Sequence, residues 1–423
     1  MDLKLLIASR IGKRVSSNGK LSRISNTIAT LSVGISIAVM ILSIAISNGF
    51  RNEIREKTSG FSGDITLSAP GVDITNHLYP IKPLSFIGKL DSLPYIKRAA
   101  AVAYRTAILK SDDAIQGVMF KGVDGNYDME FFAKYLQEGS LPDYSIKKDS
   151  ASKVMPPSND IMISRRLADM LGYKVGEKAL AYFVDEHVQL RRFTIKGIFN
   201  AQLDELDKAL VIADIRHISR VNGWKNGEVS GYEIVLDKKR RSSADECAEG
   251  IEKVLYENTA DEDDSVAART LEERFYILFD WLHLLDMNVL IILALMMAVA
   301  GFNMVSGLLI MLFERISQIG LFKALGMKDG DISKVFLYRS SFIVAKGMLI
   351  GDIIAILFCW LEKSYKVVTL DPSNYFVSYV PIDISATTII ALNVAAFLLM
   401  MLILMIPCHM ISRISPAKTL VVK

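Results

Sequence analysis

The sequence predicts an α-helical polytopic membrane protein, with four transmembrane helices and a large α/β domain inserted between helices 1 and 2. Three observations predict it. Four blocks are long and apolar enough to cross a bilayer: Ile24 to Ile46, Met287 to Phe313, Phe342 to Leu361 and Ala386 to Met410. A spanning helix needs about 20 such residues because, with no water present, every backbone group must be bonded within the segment. Residues 50–286 form one long hydrophilic insert with enough apolar residues for a core of its own. Finally, lysines and arginines gather in the tails and in one loop, which fixes an orientation.

Composition agrees. Of 423 residues, 51% are hydrophobic yet 22% are charged, so the apolar residues must be concentrated in blocks while other stretches fold in water. The net charge of +3 is small, and the lysines and arginines, spread over the tails, one loop and the insert, form no aromatic-interleaved basic stripe of the kind a nucleic-acid surface shows. Nucleic acid is not an expected partner. The three cysteines, Cys247, Cys359 and Cys408, imply no disulfide framework, since the last two fall at opposite membrane faces.

In the N-terminal tail, 1–23, Leu3, Leu6, Ile7 and Ile11 are set against Lys4, Arg10 and Lys13, the pattern of an amphipathic helix on the inner leaflet. Arg14, Lys20 and Arg23 make that tail basic. Arg315, Lys323, Lys328 and Lys334 do the same for the loop 314–335, and Arg413, Lys418 and Lys423 for the tail 411–423. These three regions are therefore expected in the cytoplasm, with the insert and the loop 362–385 outside. The first span, 24–49, is a retained anchor: its apolar run is long and is followed by Ser47-Asn48-Gly49-Phe50 rather than a small-residue cleavage site.

The two ends of the insert look like copies of one strand-helix-strand unit. The first has strands at Asp64–Leu67 and Ile96–Leu109 around a helix opened by Pro83 and running to Leu90. The second has strands at Tyr232–Leu236 and Ser265–Leu271 around a Ser-capped helix, Ser243 to Tyr256. Together 50–115 and 231–275 make an α/β subdomain, leaving 116–230 as a strand-rich one. In the latter, Asp160–Ser164 is a strand, Arg165–Leu171 a helix ended by Gly172, and Val188–Phe199 a strand; Tyr144 to Asn159, with Pro156-Pro157, is a surface loop.

After the second span, 287–313, Glu314 to Met327 is the most informative segment. Ile316, Ile319 and Lys323, with Phe322 one step round, share a helical face, and Gly326 stops the helix. A short helix projecting into the cytosol between two spans can receive force from a soluble partner, or can simply lie on the membrane surface. The third span, 336–361, holds Gly347 and Gly351, a small-xxx-small pair suited to close helix packing, and two intramembrane charges, Lys346 and Asp352, which could pair with each other or a neighbour. The outer loop 362–385 and the fourth span, 386–410, complete the chain.

No catalytic constellation is found. Gly12-Lys13, Gly19-Lys20 and Gly88-Lys89 are not followed by Ser or Thr, so there is no phosphate-binding loop, and no Gly-x-Ser-x-Gly elbow occurs. The five histidines, His77, His187, His217, His283 and His409, lack paired metal spacing. The run Asp261-Glu262-Asp263-Asp264 is a solvated loop, with cation binding as its alternative.

The run Glu314 to Met327, followed by Ile332 and Phe336, resembles the coupling-helix motif of the FtsX-like/MacB-type permease family. Ile7-Ala8-Ser9-Arg10 and Asn48-Gly49-Phe50 match the same family, and Leu370 to Pro381 is similar to the outer loop of its lipoprotein-releasing members, the LolC/LolE type. The resemblance covers essentially the whole chain, with 287–415 as the FtsX-like permease domain and the insert as a MacB-like periplasmic domain.

That resemblance implies a subunit of the bacterial inner membrane that is not itself an enzyme. It implies a dimer of permeases, of identical chains or paralogues, with ATP and Mg bound by a pair of ABC ATPase subunits on the cytosolic side. Glu314, Arg315, Ile319, Gly320, Lys323, Ala324, Leu325 and Gly326 would couple ATPase closure to the membrane. An acylated lipoprotein would enter sideways from membrane lipid into a cavity between the first and second helices of the two protomers, lined by Met40, Ser43, Ile44, Ser47, Asn48, Phe50, Phe302 and Asn303, and pass to a periplasmic carrier. In carrier-loading members the hairpin before the strand Arg192–Ile195 extends into a hook; here Asp185 to Arg191 is short, which favours a substrate-receiving role. A MacB-like efflux permease and an FtsX-like scaffold acting on a cell-wall hydrolase are the competing readings.

Overall fold

The computed structural model describes residues 20–112, 114–146, 155–185, 187–203, 207–225, 227–258 and 266–409. The expected amphipathic helix in 1–23 falls almost wholly outside them, as do the acidic run 261–264 and the tail 411–423. The described residues form two compact units, one of 20–52, 282–369 and 379–409, the other of 53–281 and 370–378.

The first unit is a bundle of four helices, each long and apolar enough to cross a membrane. They are α1 (Lys20–Ser62), of which this unit holds the part to Asn52, then Tyr276–Glu314, of which it holds the part from Leu282, Asp329–Tyr365 and Ala386–His409, which become α8, α10 and α12 in chain order. The first three of these helices outrun their apolar blocks, because the polar residues flanking a block continue the same hydrogen-bonded ladder once outside lipid. Val33, Ile37, Met40 and Ile41 of α1 meet Met304 and Leu308 of α8, Val344 and Met348 of α10, and Met400 and Leu404 of α12 in one core.

The backbones of α1 and α10 touch. A Cβ on Gly347 would stand 2.7 Å from the Thr30 carbonyl oxygen, and one on Gly351 2.5 Å from that of Gly34. The paired glycines thus serve close packing, where dispersion replaces the hydrophobic drive that lipid removes. Asp352 accepts from Asn393 Nδ2 at 3.0 Å, so among the described contacts its partner is an amide on α12 rather than Lys346, which faces outward.

The second unit is α/β. Its strands are β1 (Ile65–Ser68), β2 (Ile96–Lys110), β3 (Ile115–Val123), β4 (Leu136–Gly139), β5 (Asp160–Ser164), β6 (Lys178–Phe183), β7 (Gln189–Phe199), β8 (Leu210–Asp214), β9 (Gly231–Leu236) and β10 (Ala267–Thr270). The helices between them are α2 (Ile87–Asp91), α3 (Glu130–Tyr135), α4 (Arg165–Leu171), α5 (Ile215–Val221), α6 (Ala244–Asn258) and α7 (Leu271–Arg274). The sheet runs β10-β1-β9-β2-β3-β8-β5-β7-β4, and β6 pairs with both β7 and β2. Strands β2, β3, β8, β5, β7 and β6 therefore close into a ring, parallel only at β3–β8 and β5–β7. Phe120, Phe183 and Phe193 stack inside it among Ala103, Ile163, Ile195 and Val211.

The long strand β2 belongs to both halves of this unit. Its start pairs with β9, Ile96 opposite Leu236, and its end with β6, Lys110 opposite Leu180. The sequence boundary near 115 therefore cuts a ring to which β2 contributes. Helix α2 begins at Ile87 rather than Pro83; ahead of it the Leu84 N–H donates to the Tyr232 hydroxyl at 3.0 Å, which ties that stretch to β9. Gly172 ends α4 as the sequence predicts, in the left-handed region at φ 71, and the structure adds a cap at its start, where Ser164 accepts from the Leu167 N–H. Thr270 and Glu273 form a reciprocal capping box at the start of α7.

A buried ion pair crosses the sheet. Lys121 on β3 donates to Glu233 on β9 at 2.6 Å, to Tyr127 at 2.7 Å and to the Phe61 carbonyl near the end of α1 at 2.5 Å. The Tyr104 hydroxyl donates to the other Glu233 oxygen at 2.6 Å. Burial pulls the Lys121 amine below the usual lysine value against the opposing pull of Glu233, and drives both tyrosines well above theirs.

Candidate coupling helix and membrane face

Between α8 and α10 lies α9 (Ile316–Ala324). Its start is a break at Arg315, φ −109, whose guanidinium donates to Gln318 at 2.9 Å. Its end is a two-bond left-handed cap: Gly326, at φ 85, donates its N–H to Lys323 O at 3.0 Å, and Met327 donates to Phe322 O at 3.0 Å. Only glycine takes that φ without cost. Lys323 then pairs with Asp329, at the start of α10, at 2.8 Å, so the turn is closed by charge as well as by backbone.

The two faces of α9 differ. Ile319 and Gly320 are buried, and Ile316, Phe322 and Lys323 half-buried, so the face picked out by spacing is the one fixed to the bundle. Glu314, Ser317, Gln318, Leu321, Ala324, Leu325 and Gly326 are exposed, with Leu325 76% exposed. Of the eight residues expected to couple, Glu314, Ala324, Leu325 and Gly326 therefore lie outward, Ile319 and Gly320 seat the helix, and Arg315 and Lys323 brace its ends. Leu321, four residues before Leu325 and on the side opposite Ile319, is exposed beside it.

The expected cavity residues do not share one surface. Met40 is 1% exposed in the bundle core, while Phe302, 72% exposed, points away from it. Ser43, Ile44, Asn48 and Phe50 are half-buried along α1. Asn303 donates from Nδ2 to Ser32 Oγ at 2.6 Å, so the polar amide expected to need a partner finds one on α1. Ser47 donates to Asp286 Oδ1 at 3.0 Å, and Arg51 pairs with the same carboxylate, so Asp286 of α8 fastens the end of the first span. Nearby, a Cβ on Gly49 would overlap the Pro381 carbonyl, and the Asp383 N–H donates to Ala45 O at 3.0 Å. Asp286, at the edge of the insert by sequence, gave no sign of this. Among the described residues no group of His, Cys, Asp and Glu is placed to hold a metal ion.

In the second unit, the hairpin read as too short for a hook joins β6 to β7. Val188 and Leu190 are exposed there, and Arg105, buried on β2, donates to Val184 O at 3.1 Å and pairs with Asp185 at 3.0 Å.

A family model described as the MacB-like periplasmic core domain matches residues 27–254, and one described as the FtsX-like permease C-terminal matches residues 290–416. The lipoprotein-releasing system transmembrane protein LolC of Xylella fastidiosa (strain Temecula1 / ATCC 700964) is 22% identical over 99% of this chain and 98% of its own length. LolE of Haemophilus influenzae (strain ATCC 51907 / DSM 11121 / KW20 / Rd) is 20% identical over 93% of each. Among solved structures, the periplasmic region of MacB from Actinobacillus actinomycetemcomitans aligns at 10% identity with 52% of this chain and 94% of its own, with a TM-score of 0.34.

Proposed function

This chain belongs to the family defined by the MacB-like periplasmic core domain, here followed by an FtsX-like permease region, and from that premise we propose that it is the transmembrane permease subunit of an ATP-driven ABC transporter that extracts outer-membrane-directed lipoproteins from the inner membrane. The observation that carries the reading is α9: one face seated in the bundle, both ends fixed, and an outward apolar face at Leu321 and Leu325. Such a helix transmits a push from a soluble partner without rotating freely. Similarity to LolC and LolE along nearly the whole chain selects lipoprotein release among the activities of the family.

In this reading a separate ATPase pair binds ATP and Mg and closes against α9 of two permease subunits, alike or paralogous. The termini and α9 are cytoplasmic, following the basic residues that flank them. The acylated anchor leaves the bilayer sideways along the first two spans, whose exposed residues include Phe302, and a periplasmic carrier takes it up. Each methylene withdrawn from lipid costs about 0.8 kcal/mol, so an acyl anchor cannot leave unaided, which is why the cycle needs ATP.

The test is purification of the chain from its native membrane in mild detergent, with co-purifying proteins identified by mass spectrometry. An ABC ATPase together with acylated lipoproteins is the expected result. A cell-wall hydrolase in place of the lipoproteins would favour a scaffold that passes ATPase motion outward, and no ATPase at all would sink the reading.

A further inference from the structure

The loop between α10 and α12 leaves its own unit at its tip. Residues 370–378, which include the single helical turn α11 (Pro372–Tyr375), belong to the α/β unit. Their seat is built around Lys57, which lies beyond the apolar run ending at Ile46, in the polar part of α1 that is also in that unit. Lys57 is 1% exposed and donates to the Phe376 carbonyl at 2.9 Å and to Gln202 Oε1 at 3.3 Å. The Gln202 amide in turn donates to the Ser378 hydroxyl, and Phe376 meets Trp281 edge-on with ring centroids 6.4 Å apart.

Two features make this seat costly. Phe376 and Gln202 both lie in the left-handed region, at φ 60 and φ 63, which suits glycine and costs other residues on the order of 1–2 kcal/mol. The buried amine, moreover, is hydrogen-bonded among the described residues to neutral oxygens, where a charge loses more hydration than such partners restore.

We propose that residues 370–378 are a latch, docked in the α/β unit on the Lys57 amine and able to release as a piece while the sheet stays folded. The charge environment supports this. Burial draws the Lys57 amine down to about 8; Glu53 on its own helix and Asp207 beyond Gln202 favour the charged form, and Lys134 of α3 opposes it. Lys134 itself pairs with Glu56 at 2.9 Å, and the neighbouring Tyr135 ring centroid is 5.9 Å from the Lys57 amine.

Undocked, the amine meets water and regains the ordinary lysine value near 10.5. The docked state then binds the proton more weakly, so docking strengthens as pH rises from about 8 toward 10.5, and the balance is flat below 8. The neutral amine still has N–H groups to donate, so these hydrogen bonds survive the change.

The test is hydrogen exchange followed by mass spectrometry on the full chain in phospholipid nanodiscs at pH 7 and pH 9, with rates corrected for intrinsic exchange. In the unaltered chain the peptide covering 370–378 should open about tenfold less at pH 9 than at pH 7, and the β2 peptide should not change. Lys57→Met should remove the pH dependence at 370–378. Equal opening at the two pH values, a dependence that persists in Lys57→Met, or β2 opening together with the tip would each overturn the latch. Where Lys57→Met fails to fold, the comparison of the unaltered chain at two pH values decides alone.

Discussion

Replacing Gly326 by proline attacks the coupling reading at its narrowest point. Proline fixes φ near −65°, against the 85° found at this residue, and has no N–H. The bond from Gly326 to Lys323 O is removed, and the bond from Met327 to Phe322 O, which depends on the same left-handed turn, goes with it. At about 1 kcal/mol each, with a further 1 kcal/mol or so for displacing the Lys323–Asp329 pair, the end of α9 loses about 3 kcal/mol. That shifts the population of the ordered turn by roughly a hundredfold. Gly326→Ala keeps the N–H and meets only the left-handed cost of about 1–2 kcal/mol, so it should fall between. The assay is proteoliposomes containing the permease and its ATPase, with a soluble acceptor outside, scored as lipoprotein released per ATP hydrolysed. Hydrolysis should persist while release per ATP falls at least tenfold in the proline variant and less in the alanine variant. Full release by Gly326→Pro would refute the role given to α9.

Other consequences are more local. Glu233→Leu strands the Lys121 amine in the sheet and should cost about 3–5 kcal/mol in thermal unfolding of the periplasmic unit, whereas the double change Lys121→Met, Glu233→Leu should cost much less. Gly351→Val puts a Cβ 2.5 Å from the Gly34 carbonyl oxygen and should force α1 and α10 apart, lowering the melting temperature of the purified protein in detergent; an unchanged melting curve would contradict the close packing described. Thr270→Ala removes one arm of the capping box and should raise hydrogen exchange at 271–274 by an amount worth about 1 kcal/mol.

Much of this was legible in the sequence where the signal is local. Gly326 and Gly172 end helices because their type suits the φ required, and the spans follow from apolar length alone. Asn303 was identifiable as a residue in need of a partner because an amide in lipid must bond to something, but Ser32, far away in sequence, could not be named. The burial of Met40 could not be read for a related reason: α1 is apolar all round through its span, so its composition does not say which side turns inward. The alternation of Ile96 to Leu109 announced a strand, yet its pairing with β9 at one end and β6 at the other depends on residues more than seventy positions on. The outward face of α9 was hidden because both sides of the segment carry apolar residues, Ile316 and Ile319 on one and Leu321 and Leu325 on the other, so the pattern does not say which is fixed.

The tip at 370–378 also bears on how the protein is made. Lys57, Gln202 and Trp281 emerge from the ribosome well before Phe376 and Ser378, so the nascent periplasmic unit has an open socket where Lys57 awaits its carbonyl acceptor. The unit is completed only after the third span has been inserted and the loop behind it has reached the far side. The completion of that seat is thereby tied to correct threading of the last hairpin.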